Sequence, residues 1–208
     1  MTHVFAVLDV ETTGLDEKED HLLEIAWRFL DAQFRPVGRP RSFIVQHSDF
    51  GWFNVFHTIH QNSVVEAMHR ESGLFNDLKT KKALSTSAIA MHFVDDARVA
   101  APDVAVPEVY LIGSNIGFDR NFLKKDDTFK LFFDNDVLGA IISHRQIDLR
   151  SIKLLFDAYG IPWEQAENAG AHRAINDVAE AVKQLQLFGH VLAPLARRPR
   201  FGGVSDGI

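Results

Sequence analysis

The clearest pattern lies at the start of the chain. From Val4 to Leu8 (VFAVL) apolar residues follow one another without Gly or Pro, which predicts a central strand covered on both faces. The run breaks at Asp9 and Glu11, two apart and therefore on one face of a strand. LLEIAWRFL (Leu22–Leu30) predicts a second strand, and Phe43–Gln46 a third after the turn-rich RPVGRPR. Their short connections favour antiparallel pairing with the first. Residues 47–61 (HSDFGWFNVFHTIHQ) are read as a loop rich in aromatics and histidine. Val64–Ser72 predicts a helix closed by Gly73, and Ser85–Val99 a second helix with Ile89, Met91, Phe93 and Val94 as its apolar positions. Val109–Ile112 (VYLI) predicts a short buried parallel strand, which residues 113–117 turn into a helix from about Asp119 to Phe133. Asp134–Gly139 (DNDVLG) resembles the start of a calcium loop but lacks its closing glutamate, and is read as a solvated turn. Arg145–Asp148 predicts a last short strand, followed by a helix ending near Gly160. His172 opens a final helix running to about Phe188. Three strands followed by alternating helix and strand predict an α/β domain: a mixed five-stranded sheet, three antiparallel strands then two parallel, flanked by helices.

Composition narrows the classes. The 208 residues predict one domain over residues 1–190, with a poorly ordered tail over 191–208 that is rich in Arg, Pro and Gly. With 46% hydrophobic and 24% charged residues, the chain has the profile of a soluble globular protein. Without cysteine it has neither a disulfide framework nor a thiolate metal site. No apolar run reaches membrane-spanning length and the N-terminus enters a strand at once, so a cytoplasmic location is expected. A formal charge of −6 argues against broad binding of long duplexes. It leaves room for a short or single-stranded nucleic acid gripped at a few points through metal ions.

Two carboxylates at the end of a buried strand repel each other unless one protonates or a cation sits between them. A hard divalent ion such as Mg²⁺ or Mn²⁺ meets that need for Asp9 and Glu11, while an acidic strand end facing solvent is the plainer reading. Thr12, Thr13 and Gly14 then form a turn whose N–H groups could meet a phosphate or terminal sugar, with the glycine permitting close approach. Further along, Asn115 and Phe118 precede Asp119 at a helix start, and His172 precedes Asp177 by about one and a half turns. Taken alone, Asp119 could be a helix N-terminal acid, Asp177 an exposed helix residue and His172 a loop histidine. The three histidines of residues 47–61 lack zinc-like spacing.

In order along the chain, D-x-E at Asp9, N-x-x-F-D at Asn115 and H-R-A-x-x-D at His172 resemble the DnaQ-like 3′–5′ exonucleases of the DEDD type, histidine subclass. The resemblance covers roughly Val4 to Phe188 and implies an RNase H-like fold. Within that superfamily TGLDEKEDHLLEIA, HRESGL and GSNIGFDRNFL resemble oligoribonuclease. The resemblance implies that Asp9, Glu11, Asp119 and Asp177 hold two divalent cations, Mg²⁺ or Mn²⁺, about 4 Å apart across the scissile phosphate. It implies His172 as general base, taking a proton from the attacking water near neutral pH. Substrate contacts are expected from Thr12, Thr13, Gly14, Asn115 and Phe118, from Leu15 against the terminal base, from His69 on the substrate side, and from Arg145 on a 5′ phosphate. A homodimer acting on short single-stranded RNA or DNA, without membrane, is expected.

The chain departs from the family's pattern in places. Oligoribonuclease has tryptophan where Val64 aligns, tyrosine at His144, serine at Arg150 and serine at Asn115. Trp52 or Phe53 is the candidate replacement for the missing stacking surface. Two other roles use the same motifs: a proofreading or end-trimming exonuclease working with a DNA polymerase, and a catalytically silent nucleic-acid-binding module.

Overall fold

A computed structural model describes residues 4–134, 139–162 and 172–196 of the chain. Strands β1 (Val4–Thr12), β2 (Leu22–Leu30) and β3 (Pro36–Ile44) are followed by helices α1 (Asp49–Gln61), α2 (Ser63–Glu71), α3 (Leu74–Thr80) and α4 (Thr86–Ala100). Strand β4 (Glu108–Gly113), helices α5 (Ile116–Lys125) and α6 (Leu131–Asp134), strand β5 (Ile141–Asp148) and helices α7 (Leu149–Ala158) and α8 (Ala174–Ala196) complete the order. The sheet runs β3-β2-β1-β4-β5, antiparallel at β1/β2 and β2/β3 and parallel at β1/β4 and β4/β5. This is the mixed sheet expected from the sequence.

β1 lies at the centre because both of its faces are apolar. Val4, Ala6, Leu8 and Val10 pack against Ile89, Phe93 and Val94 of α4 and Ile116, Phe122 and Leu123 of α5. Val7 packs on the other face with Ala26, Ile112, α7 and α8. Helix α8 meets that face through Ala174, Val178, Ala181, Leu185 and Phe188, a stripe spaced by three or four residues. Asp177 stands at the edge of this stripe, one turn after Ala174.

Several elements differ from the sequence reading. Residues 47–61 are largely helical. Ser48 caps α1 by accepting from the Gly51 N–H at 3.1 Å, and Val55 and Ile59 bury against Leu74, Phe75 and Leu78. Only one narrow stripe of α1 is apolar by burial, and the exposed Phe50 and Phe53 mask its period. β3 begins at Pro36 rather than Phe43, since Pro and an exposed Gly38 are tolerated on an edge strand. α3 was not anticipated. The helix expected from Asp119 to Phe133 breaks after Lys125, where Asp126 Oδ1 accepts from the N–H groups of Thr128 and Phe129 and starts a new turn. β5 begins at Ile141, ahead of Arg145, and α8 begins two residues after His172 and runs past Phe188 to Ala196. Most of the DNDVLG segment, and residues 197–208 of the expected tail, lie outside the described residues.

Candidate active site

The site forms where β1, β4 and α8 meet. β1 pairs with β2 so that Asp9 stands opposite Ala26 and Glu11 opposite Glu24. β4 runs parallel beside β1, with Val7 opposite Ile112, and ends at Gly113. A Cβ at Gly113 would lie 2.8 Å from the Leu8 carbonyl oxygen, so only glycine lets the chain turn this close to β1. Asn115 follows in the left-handed region (φ 61°), which asparagine tolerates better than other side chains. α5 then starts beside β1, and Asp119 Oδ1 accepts from the Val10 N–H at 2.9 Å.

One carboxylate oxygen from each of Asp9, Glu11 and Asp177 falls within 4.8 Å of the others. Asp119 sits beside this trio, held by β1, and its charge acts on Asp9. The cost of gathering these acids shows in their protonation. Burial, then the charges of Asp119, Asp177, Glu11 and Glu24, push Asp9 well above the usual carboxylate range. Burial, then Asp177 and Glu24, raise Glu11 to about 8, against a smaller opposing pull from Arg173. Burial is also the largest cause for Asp119, raised to about 7 although the Val10 and Asp119 N–H groups favour its charged form. Asp177, more open to solvent, is raised to about 6 by partial burial, with His172 opposing the shift. Oxygen-only donors, converging and starved of countercharge, fit a hard divalent cation. His172 lies exposed ahead of α8, within electrostatic reach of Asp177.

The turn after β1 is committed mostly to itself. The Thr13 N–H donates to the His21 carbonyl at 3.0 Å, and its buried hydroxyl donates to Asp20 Oδ1 at 2.7 Å, so Thr13 has no N–H to offer a phosphate. The Thr12 hydroxyl donates to the Gly14 carbonyl at 2.5 Å. A Cβ on Gly14 would lie 2.4 Å from Asp20 Oδ2, so the close approach this glycine permits is that of Asp20. Leu15 stands 83% exposed at the tip of the turn.

His69, expected on the substrate side, is fully buried on the inner face of α2. Its Nε2 lies 2.8 Å from the Thr12 carbonyl, which can only accept, so Nε2 carries the proton and His69 braces the end of β1. Burial first, then the charge of His172, lowers its pKa and keeps it neutral against the pull of the Thr12 carbonyl. Nδ1 is buried without a partner among the described residues. Phe118 is half-buried and packs on Phe122 at 4.9 Å between ring centroids. Arg145 is exposed on β5, where the register with β4 shifts, and its charge acts on Glu108 and Tyr110. Arg150 Nε donates to Ser114 Oγ at 3.1 Å. Of the candidate stacking groups, Trp52 packs inward against His47 and Phe56, while Phe53 is exposed beside His57.

Glu24 and Arg173 were missed by sequence reasoning. Arg173 Nε and Nη2 each donate to one Glu24 oxygen at 3.0 Å, and Nη1 lies 2.7 Å from Asp77 Oδ2. The available signal was a lone acid inside an apolar strand, LLEIAW, and an arginine directly after the candidate base.

Comparison with known proteins places this geometry. No family model matches the chain. It is 30% identical over 190 residues to an oligoribonuclease of Cutibacterium acnes, covering 89% of this chain and 84% of that protein. It is 29% identical over 185 residues to an oligoribonuclease of Mycobacterium ulcerans, covering 87% and 77%. Among solved structures, E. coli exonuclease I in complex with a dT13 oligonucleotide matches with a TM-score of 0.61 at 17% identity, which shows the shared fold. That match covers 93% of this chain but spans only 42% of the exonuclease I chain. With this identity sustained over nearly the whole chain and most of its relative, the protein belongs to the oligoribonuclease family.

Proposed function

We propose that this protein is a metal-dependent 3′–5′ exonuclease that releases nucleoside 5′-monophosphates from short RNA or single-stranded DNA. The observation that carries the reading is the convergence of Asp9, Glu11 and Asp177 within 4.8 Å, with Asp119 held beside them by the Val10 N–H. These four carboxylates are the residues that would hold two divalent cations, Mg²⁺ or Mn²⁺. In that position the cations' chemistry is Lewis-acid stabilisation of phosphoryl charge and a lowered pKa for bound water. His172, exposed beside Asp177, takes the proton of the attacking water. The new O–P bond forms as the P–O3′ bond breaks. The departing 3′ oxygen takes up a proton, leaving a strand one nucleotide shorter. Leu15 leans on the terminal base from the tip of the turn, and Arg145 meets a 5′ phosphate from β5.

A charge of −6 and a site built from clustered acids favour substrates gripped at their ends over long duplexes. No described helix is long and apolar enough to cross a membrane. The same reading makes the protein a cytoplasmic homodimer. The test is a time course on end-labelled oligonucleotides of graded length, as RNA and as DNA. Rates that fall steeply beyond a few nucleotides support the short-substrate reading. Rates that rise with length would point instead to an end-trimming enzyme working on long strands.

A further inference from the structure

We propose that Arg173, clamped between Glu24 and Asp77, positions His172 and Asp177 for the reaction. This inference rests on the exonuclease reading above. Arg173 follows His172 directly and precedes Ala174, the first residue of α8. Its planar fork takes both oxygens of the fully buried Glu24 at 3.0 Å, and its remaining amino group reaches Asp77 of α3 at 2.7 Å. Glu24 also accepts from the Ala174 N–H at 3.3 Å and from Ser42 Oγ at 2.5 Å. A strand carboxylate therefore serves as partner for one of the N–H groups left free at the start of α8. The carbonyl of Arg173 closes the first turn, accepting from Asn176 at 2.9 Å and from Asp177 at 3.1 Å. One residue thus anchors α8 through its side chain, suspends Asp177 from its carbonyl and adjoins His172 along the backbone.

The clamp has a second consequence. Glu24 stands opposite Glu11 in the sheet and so shares its face with Asp9 and Glu11. Engaging both of its oxygens commits this fifth acid to Arg173 rather than to the carboxylates of Asp9, Glu11 and Asp177. Lysine cannot reproduce the arrangement, because a single ammonium on a flexible stem cannot hold Glu24 bidentately while also reaching Asp77. The clamp is also accessible. A cavity of about 270 Å³, lined by Glu24, Ser42, Lys81, Lys82 and Arg173 among others, opens beside it.

The experiment compares Arg173→Lys, Arg173→Ala and Glu24→Gln with the wild type in the full chain, below the melting temperature of each. Steady-state rates on a short oligonucleotide with Mn²⁺ are combined with hydrogen exchange at the α8 amides 174–178. Arg173→Lys should lower kcat by about 10- to 100-fold with KM changed little, as expected when reacting groups are displaced by an ångström or less. Arg173→Ala should lose more, and guanidinium ion should recover part of its kcat but none in Arg173→Lys. Exchange at the first turn of α8 should quicken in Arg173→Ala and Glu24→Gln. Wild-type kcat in folded Arg173→Lys and Arg173→Ala, whatever their melting points, would overturn the positioning role. Unchanged α8 exchange would overturn the clamp itself. Exchange needs no turnover, so it decides the clamp even if the wild type proves inactive, an outcome that would count against the exonuclease reading instead.

Discussion

The Val10 N–H donates to Asp119 Oδ1 at 2.9 Å, joining residues 109 positions apart in the chain. The bond lets β1 orient the acid that α5 contributes, and it satisfies a buried backbone donor that the sheet leaves free. Asp119→Asn keeps an acceptor for Val10 but loses the charge, whereas Asp119→Ala loses both. Both should cut turnover by roughly 10²-fold or more, the scale seen when preorganised charge stabilisation is lost. Only the alanine variant leaves Val10 unpaired, at about 1–3 kcal/mol. At roughly 2–4 °C per kcal/mol for a chain of this size, it should melt several degrees below Asp119→Asn. Equal melting temperatures would mean that this bond does not hold the site.

The gathered acids make metal-free stability depend on pH. Glu11, Asp119 and Asp177 have folded-state values raised to about 8, 7 and 6, above the unfolded carboxylate range of about 4. The native state therefore keeps protons that the unfolded chain has released. This contribution is fully present below about pH 4 and is lost as pH rises through the window from about 4 to about 8. A cation bound to the deprotonated acids offsets that loss. Melting curves with chelator should fall between pH 5.5 and 8, and the rise in Tm on adding Mn²⁺ should be larger at pH 8. A metal-induced shift equal at both pH values would contradict the assignment of these acids as ligands.

On the reading proposed above, His172 is the base and stands beside the carboxylate group rather than within it. His172→Ala should lower kcat by about 10²–10⁴-fold while leaving the Mn²⁺-induced rise in Tm close to that of the wild type. A variant that lost both together would place His172 among the metal-holding residues rather than at the attacking water.

On the reading proposed above, Arg145 meets a 5′ phosphate, so its effect should depend on substrate length. It is exposed where the β4–β5 register shifts, near Glu108 and Tyr110. Its fork can hold a phosphate bidentately, and charge-assisted contacts of this kind contribute about 1.5–3 kcal/mol. Arg145→Ala should raise KM for a 5′-phosphorylated dinucleotide by about 10- to 100-fold and hardly alter that for a longer strand. Equal losses on both would assign Arg145 to the Glu108–Tyr110 surface alone.

The sheet and the gathered acids were legible because their signals are local. An apolar run interrupted by D-x-E marks β1, and short apolar runs with turn residues mark β2 and β4. What was not legible depends on partners distant in sequence. α1 packs on α3 through Trp52, Val55, Phe56 and Ile59, a helical spacing that the exposed Phe50 and Phe53 mask in the sequence. Gly14 and Thr13 looked like a phosphate cradle, yet Asp20 occupies that space and those hydrogen bonds. His69 looked like a substrate contact, but the inner face of α2 buries it against the Thr12 carbonyl. Glu24 and Arg173 are 149 residues apart, and only the folded chain brings the carboxylate to the guanidinium.

On the reading proposed above, the carboxylates gathered by β1, α5 and α8 make a metal-dependent exonuclease site. The most direct measurement follows labelled nucleoside 5′-monophosphate released from the 3′ end of a short oligonucleotide, for the wild type and for Asp177→Ala, with Mn²⁺ or with chelator. The wild type should release product one nucleotide at a time only with the metal, and Asp177→Ala should be slower by roughly 10²-fold or more while remaining folded. Near-wild-type release by Asp177→Ala, or release that persists in chelator, would contradict the claim.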